Sequence, residues 1–160
     1  MVDVDKALER LGLRLPAVVP PLAAYQPAVR SGDYVYTSGQ LPMVDGALAA
    51  TGKVGAEVDP EQGYELARIC ALNALAAVAS IAPLDQVVKI VKVVGFVASA
   101  PGFTGQPKVL NGASELLGEV FGGAGTHARS AVGVAELPLG APIEVELVVQ
   151  LAPNAKTVLV

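Results

Sequence analysis

Residues 127–149 read HARSAVGVAELPLGAPIEVELVV, and the fold class turns on how this stretch is divided. From Arg129 to Ala135 small and β-branched residues follow one another without helical spacing, the pattern of a strand covered on both faces. A second strand, Ile143 to Leu151, follows the turn LPLGAP. Alternation along that strand puts Glu144 and Glu146 on one side. A strand of small apolar residues has no packing reason to open with a guanidinium, so Arg129 needs a partner or an exposed end. Antiparallel pairing about LPLGAP would bring a carboxylate towards it. Two readings follow: an internal salt bridge, or a site for a carboxylate ligand.

Working outward, VVKIVKVVGFVAS is rich in β-branched residues and predicts a central strand at about 87–98. Before it, Asp59 and Pro60 form an N-cap and first-turn pair for the longest helix, which runs to about residue 82. After it, Thr104 to Phe121 reads as a second helix, ended by Gly122-Gly123. From Tyr25, AYQPAVRSGDYVYTSGQLPMVDG predicts a meander of two or three short strands with turns at 31–33 and 45–46. Asp3 to Leu11 carries Val4, Ala7, Leu8 and Leu11 at helical spacing and stops at Gly12. Prolines 16, 20 and 21 then hold an extended connector. Two main helices can cover one face of a mixed sheet of five or six strands, which makes the expected class α+β, with one sheet face left open.

Composition fits one domain over residues 1–160, comprising an N-terminal helix and connector (1–20) and a core. With 52% hydrophobic and 16% charged residues, little polar material is available to cover the surface, so an oligomer is expected. The net charge of −4 and the absence of a Lys/Arg cluster argue against a nucleic-acid partner. Cys70 is the single cysteine and has no internal disulfide partner; Met1 precedes a charged, helix-like segment with no apolar secretory core. A cytoplasmic protein without a membrane span is expected.

Few residues offer chemistry. One histidine and one cysteine, far apart in sequence, do not make a metal site, so no metal is expected. His127 reads as a solvated loop residue and Cys70 as a buried structural thiol. The glycines at 122, 123 and 125 end a helix rather than start one, which removes a phosphate cradle. YTSGQ at 36–40 lacks the flanking glycine of a nucleophile elbow, and a triad built on His127 has no evident third member.

The segments YQPAV, YTSGQLP and ARSAVGVAELPLGAPIEVE, with an Asn in the second helix, together resemble the Rid family, the reactive intermediate deaminases also called the YjgF family, over about residues 22–152. The resemblance implies a chorismate-mutase-like α+β fold, with sheets lining the barrel of a homotrimer and ligand clefts between subunits. It also implies cofactor-free hydrolysis of 2-imino or enamino acids, such as 2-iminopropanoate and 2-iminobutanoate, to 2-keto acids and ammonia. The alternatives are a non-catalytic protein binding a small carboxylate or ketoacid, and an endoribonuclease. Matched position by position, Arg129 would clamp the substrate carboxylate and Glu144 would hold the attacking water. Tyr25 and Asn111 would line the cleft, Gly39 would close against the ligand, and Ala131 would act through its backbone amide. The chain departs from the main branch at Ala131, where Cys is usual, and at Gly133, where an acid is usual; the glycine is expected to widen the pocket. The N-terminal helix and the insert-like 99–109 segment suggest a longer, less characterised branch.

Overall fold

The computed structural model describes residues 2–158. Helix α1 (Val4–Arg10) is capped by Asp3, whose carboxylate accepts from the Lys6 amide at 3.1 Å. It buries Val4, Ala7 and Leu8 and packs on α3. Strands β1 (Ala28–Ser31) and β2 (Tyr34–Thr37) form a hairpin, followed by the small β3–β4 ribbon (Met43–Val44, Ala47–Leu48). Helix α2 (Pro60–Ala79) starts as its sequence dictates: Asp59 accepts from the Gln62 amide at 2.7 Å, and Pro60 occupies the first turn. It stops at Ala79, short of the expected residue 82. Strand β5 is Val87–Ala98 and helix α3 is Gln106–Phe121. Strands β6 (Ala128–Val134) and β7 (Ile143–Leu151) complete the chain.

The main sheet has the order β1-β2-β7-β5-β6, with β5 and β6 parallel and the other neighbours antiparallel. Thus the expected hairpin of β6 on β7 is not formed. The long β5 lies between them and pairs with both, Gly95 meeting Ala131 on one side and Val145 on the other. The LPLGAP connection is long enough to step across one strand, since two sheet spacings amount to roughly 10 Å. β6 is therefore an edge strand, and Val132 on it is 44% exposed. It is not covered on both faces as its sequence suggested, because the apolar run reflects the narrow space beneath α3 on one side only.

Helices α2 and α3 cover one face of the sheet, where Ile90, Val93, Ile143 and Leu147 meet Leu75, Leu110, Leu116 and Leu117 in a single core. On the opposite face Tyr36 sits beside Val148, and Phe96 beside Glu144. Along β7, Val145 and Val149 on the helix-covered side are fully buried while their strand neighbours are only partly so. The open face is lined by Tyr, Phe and Glu as well as Val, rather than by Val and Ala alone. Among the described residues no helix is long and apolar enough to cross a membrane.

Candidate active site

Arg129 lies near the start of β6, in register with Val93, a residue of the helix-covered face. Its side chain reaches α3. Nη1 donates to Asn111 Oδ1 at 2.9 Å and to Ser114 Oγ at 3.1 Å, while Nη2 donates to the Pro107 carbonyl at 3.3 Å. Asn111 and Ser114 are three residues apart and so share one face of α3. A guanidinium has five donors. Three are engaged here, which leaves Nε–H and one Nη2–H along one edge, the parallel pair that grips a carboxylate bidentately. All three acceptors are neutral. Among the described residues Arg129 has no carboxylate partner, so the internal salt bridge is not what holds it.

Glu144 lies on the other face of the sheet. It is in register with Phe96, three residues beyond Val93 on β5, and alternation turns the two positions to opposite sides. Gln40 and Val145 exchange backbone hydrogen bonds of 2.8 and 3.0 Å, which lays Gly39 directly against the Glu144 side chain. A Cβ on Gly39 would stand 2.7 Å from the Glu144 carboxylate carbon, closer than carbon atoms approach. The glycine is there to make room for the acid. Burial pushes the Glu144 carboxyl above its ordinary value, and the neighbouring Glu146 pushes it in the same direction. Like Arg129, it has no ion-pair partner among the described residues.

Tyr25, Gly39 and Glu144 line one cleft of about 70 Å³, with Pro20, Leu22 and Leu139 as further walls. The Tyr25 hydroxyl accepts from the Leu22 amide at 3.3 Å, tying the proline connector to the cleft mouth. Leu139 stands exposed beside it at φ 61°, a left-handed conformation that leucine seldom adopts. The predicted residues thus fall into two groups within one chain. Tyr25, Gly39 and Glu144 are together; Arg129 and Asn111 are together on the other side of the sheet, with Ala131 two residues along β6 on the Arg129 side.

Gly133 does not widen a pocket. The Gln106 amide nitrogen and the Ser99 hydroxyl stand 2.8 and 3.0 Å from where its Cβ would be; the space of the missing side chain is taken by the first residue of α3 and by the residue that follows β5. His127 is not a solvated loop residue either. It is half-buried, with Nδ1 2.6 Å from the Gly125 carbonyl and Nε2 2.9 Å from Ser114 Oγ. Ser114 and His127 join the Arg129 group in the structure: Ser114 is a helical turn beyond Asn111 on α3, and His127 stands in the loop two residues before Arg129. Cys70 is fully buried, and burial pushes its thiol well above the usual range, as befits an inert core group.

The family model described as "YjgF/chorismate mutase-like, putative endoribonuclease" matches residues 5–151. The chain belongs to the Rid/YjgF family. The match begins inside α1, so the N-terminal helix and the connector fall within the family domain rather than outside it. Protein TCP17 of Trypanosoma cruzi is 46% identical over 146 residues, covering 90% of this chain and 91% of that protein. The crystal structure of Atu1372 from Agrobacterium tumefaciens, of unknown function, is 41% identical with a TM-score of 0.85, covering 92% of each chain. E. coli TdcF with bound serine is 25% identical with a TM-score of 0.59, covering 86% of this chain and 93% of that one. The YjgF fold accounts for the mixed sheet, the helix layer and the open face together.

Proposed function

We propose that the chain is a hydrolytic deaminase of 2-imino and enamino acids, working in clefts assembled between neighbouring copies of a homotrimer. The observation that carries the proposal is the pair of unneutralised charges on opposite faces of one sheet. Each charged group is half-buried and lacks a counter-ion among the described residues, which is costly unless a ligand or a neighbour supplies one. One chain cannot bring the two together around a small ligand, because its own sheet separates them. Two chains can, if the open face of one meets the β6–α3 edge of the next. The serine bound to TdcF has a carboxylate and an α-nitrogen, the two features that an arginine fork and an acid would read in an imino acid.

In this reading Arg129 of one subunit grips the substrate carboxylate through its free edge, fixing the imine carbon. Glu144 of the adjacent subunit takes a proton from water as the oxygen attacks that carbon. Its raised pKa makes it a better base than an ordinary glutamate. The C=N π electrons move to nitrogen, giving a carbinolamine. On the protonated imine this carbinolamine is neutral; Glu144 returns the proton to its nitrogen, accepts the hydroxyl proton as the C=O bond forms and the C–N bond breaks, and releases that proton to solvent, leaving a 2-keto acid and ammonia. Atoms balance with one water consumed, and no cofactor enters.

A protein that only held ketoacids would need Arg129 but not an acid over Gly39, so Glu144 separates the two readings. Endoribonuclease activity, carried in the family description, fits poorly with a net charge of −4. The test is an amino-acid oxidase generating 2-iminopropanoate or 2-iminobutanoate in place, with semicarbazide trapping what escapes hydrolysis. Wild-type protein is expected to suppress the semicarbazone signal, and Glu144→Gln to lose that suppression while still binding ketoacid. Failure of the wild type across imines from several amino acids would leave the binding reading in its place.

A further inference from the structure

We propose that His127 is a positioning residue, which sets the Arg129 fork by way of Ser114. Proton accounting gives the chain its direction. The Gly125 carbonyl can only accept, so Nδ1, at 2.6 Å, carries the imidazole hydrogen. The Arg129 Nη1 can only donate, so Ser114 Oγ, at 3.1 Å, accepts from it. With the single hydrogen of a neutral imidazole on Nδ1, Nε2 accepts, and Ser114 gives it its one hydrogen at 2.9 Å. Every group is used once in one sense: guanidinium to hydroxyl, hydroxyl to imidazole, imidazole to backbone carbonyl. The hydroxyl rotor is thereby fixed, and with it the lone pair offered to Nη1.

The consequence concerns which edge of Arg129 faces the ligand. Asn111 and Ser114 together occupy both Nη1 hydrogens. Without a fixed Ser114 hydroxyl the guanidinium keeps only Asn111 and the Pro107 carbonyl, two points about whose connecting line its plane can rock. His127 touches no reacting atom; it acts through Ser114. The serine–imidazole pair also invites reading as a nucleophile and its base. Arg129 opposes this, because Nη1 already donates into the oxygen that would attack.

The chain has a single histidine, so a long-range proton–nitrogen correlation spectrum of the full protein shows one imidazole. It is expected to show the Nδ1–H tautomer, and the Arg129 guanidinium, assigned with Arg129→Lys, is expected to show slow rotation. Ser114→Ala and His127→Leu should each abolish that slow rotation. His127→Gln, whose amide oxygen can still accept from Ser114, should retain most of it. For ketoacid affinity, read with pyruvate by calorimetry, Ser114→Ala and His127→Leu should each lose roughly tenfold, about the worth of one hydrogen bond to a charged group. The double variant should be no weaker than Ser114→Ala alone, the signature of action through one partner.

An Nε2–H tautomer overturns the proposal, as do an Arg129 signal indifferent to Ser114→Ala, additive losses in the double variant, or labelling of Ser114 by a fluorophosphonate. The affinity arm rests on the carboxylate role proposed for Arg129. If wild-type protein binds no ketoacid while the spectra behave as expected, that role fails and the positioning of Arg129 by His127 stands.

Discussion

Arg129 and Glu144 are both half-buried and both without a counter-ion among the described residues, yet the protein treats them in opposite ways. The arginine is held by three neutral acceptors from α3, with Ser114 in turn held by His127. The acid is given space over Gly39 and is pushed towards its neutral form by burial and by Glu146. A group that must present a fixed edge to a ligand gains from rigid anchoring. A group that must take up and return a proton gains from a raised pKa and from free lone pairs. In the proposed reaction this difference matches orientation to the β6–α3 side and proton transfer to the β7 side.

Loss of the Glu144 carboxylate tests the proton-transfer side. Glu144→Gln should lower imine hydrolysis by about 10²- to 10⁴-fold, the usual worth of a positioned base, with ketoacid affinity changed little. Equal losses in turnover and affinity would merge the two roles. Next comes Gly39→Ala. The new Cβ would displace the flexible Glu144 carboxylate rather than any backbone, so turnover should fall by roughly ten- to a hundredfold, as for a misplaced catalytic group, with little change in thermal midpoint. A large drop in midpoint with turnover preserved would make Gly39 structural. On the orientation side, Arg129→Lys keeps the charge but loses the fork, and ketoacid binding by calorimetry should weaken by about 1–3 kcal/mol. Unchanged affinity would remove the carboxylate clamp.

The smallest effect is one of pH and stability. The folded-state pKa of Glu144 is raised above the ordinary value of 4.5, so the unfolded chain ionises first as pH rises. The charge therefore costs stability from the ordinary carboxylate range upward, and the full cost is present above the folded-state pKa. Thermal midpoints of wild type and Glu144→Gln should coincide below about pH 4 and separate at neutral pH, with the variant the more stable. A variant less stable than wild type at neutral pH would mean that Glu144 has a stabilising partner.

Much of this was legible in the sequence where a local signal fixed the outcome. Asp59-Pro60 started α2, β-branched content marked β5 over 87–98, and the ordered motifs around Gly39, Arg129 and Glu144 pointed to the family. What escaped was set by pairings distant in sequence. Nothing in HARSAVGVAELPLGAPIEVELVV says that β5 will lie between its two strands, and that insertion is what puts Arg129 and Glu144 on opposite faces instead of side by side. The Gly133 space was misjudged for the same reason: Gln106, far away in sequence, fills it. His127 gives no local signal because it lies in the glycine-rich loop just before β6, and only the packing of α3 brings Ser114 within 2.9 Å of its ring.

In the proposed trimer a working site takes Arg129 from one chain and Glu144 from another. This arrangement is tested most directly by co-expressing Arg129→Lys and Glu144→Gln chains and measuring imine hydrolysis by the mixed trimers, whose mass should be near three times 16.2 kDa and whose mixing native mass spectrometry can verify. Each variant alone should be nearly inactive. In a random mixture about a quarter of the clefts would pair an intact Arg129 with an intact Glu144 across a cyclic interface, so about a quarter of the wild-type rate should return. Verified mixed trimers with no recovery would contradict the account, because a site built within one chain stays broken in every combination.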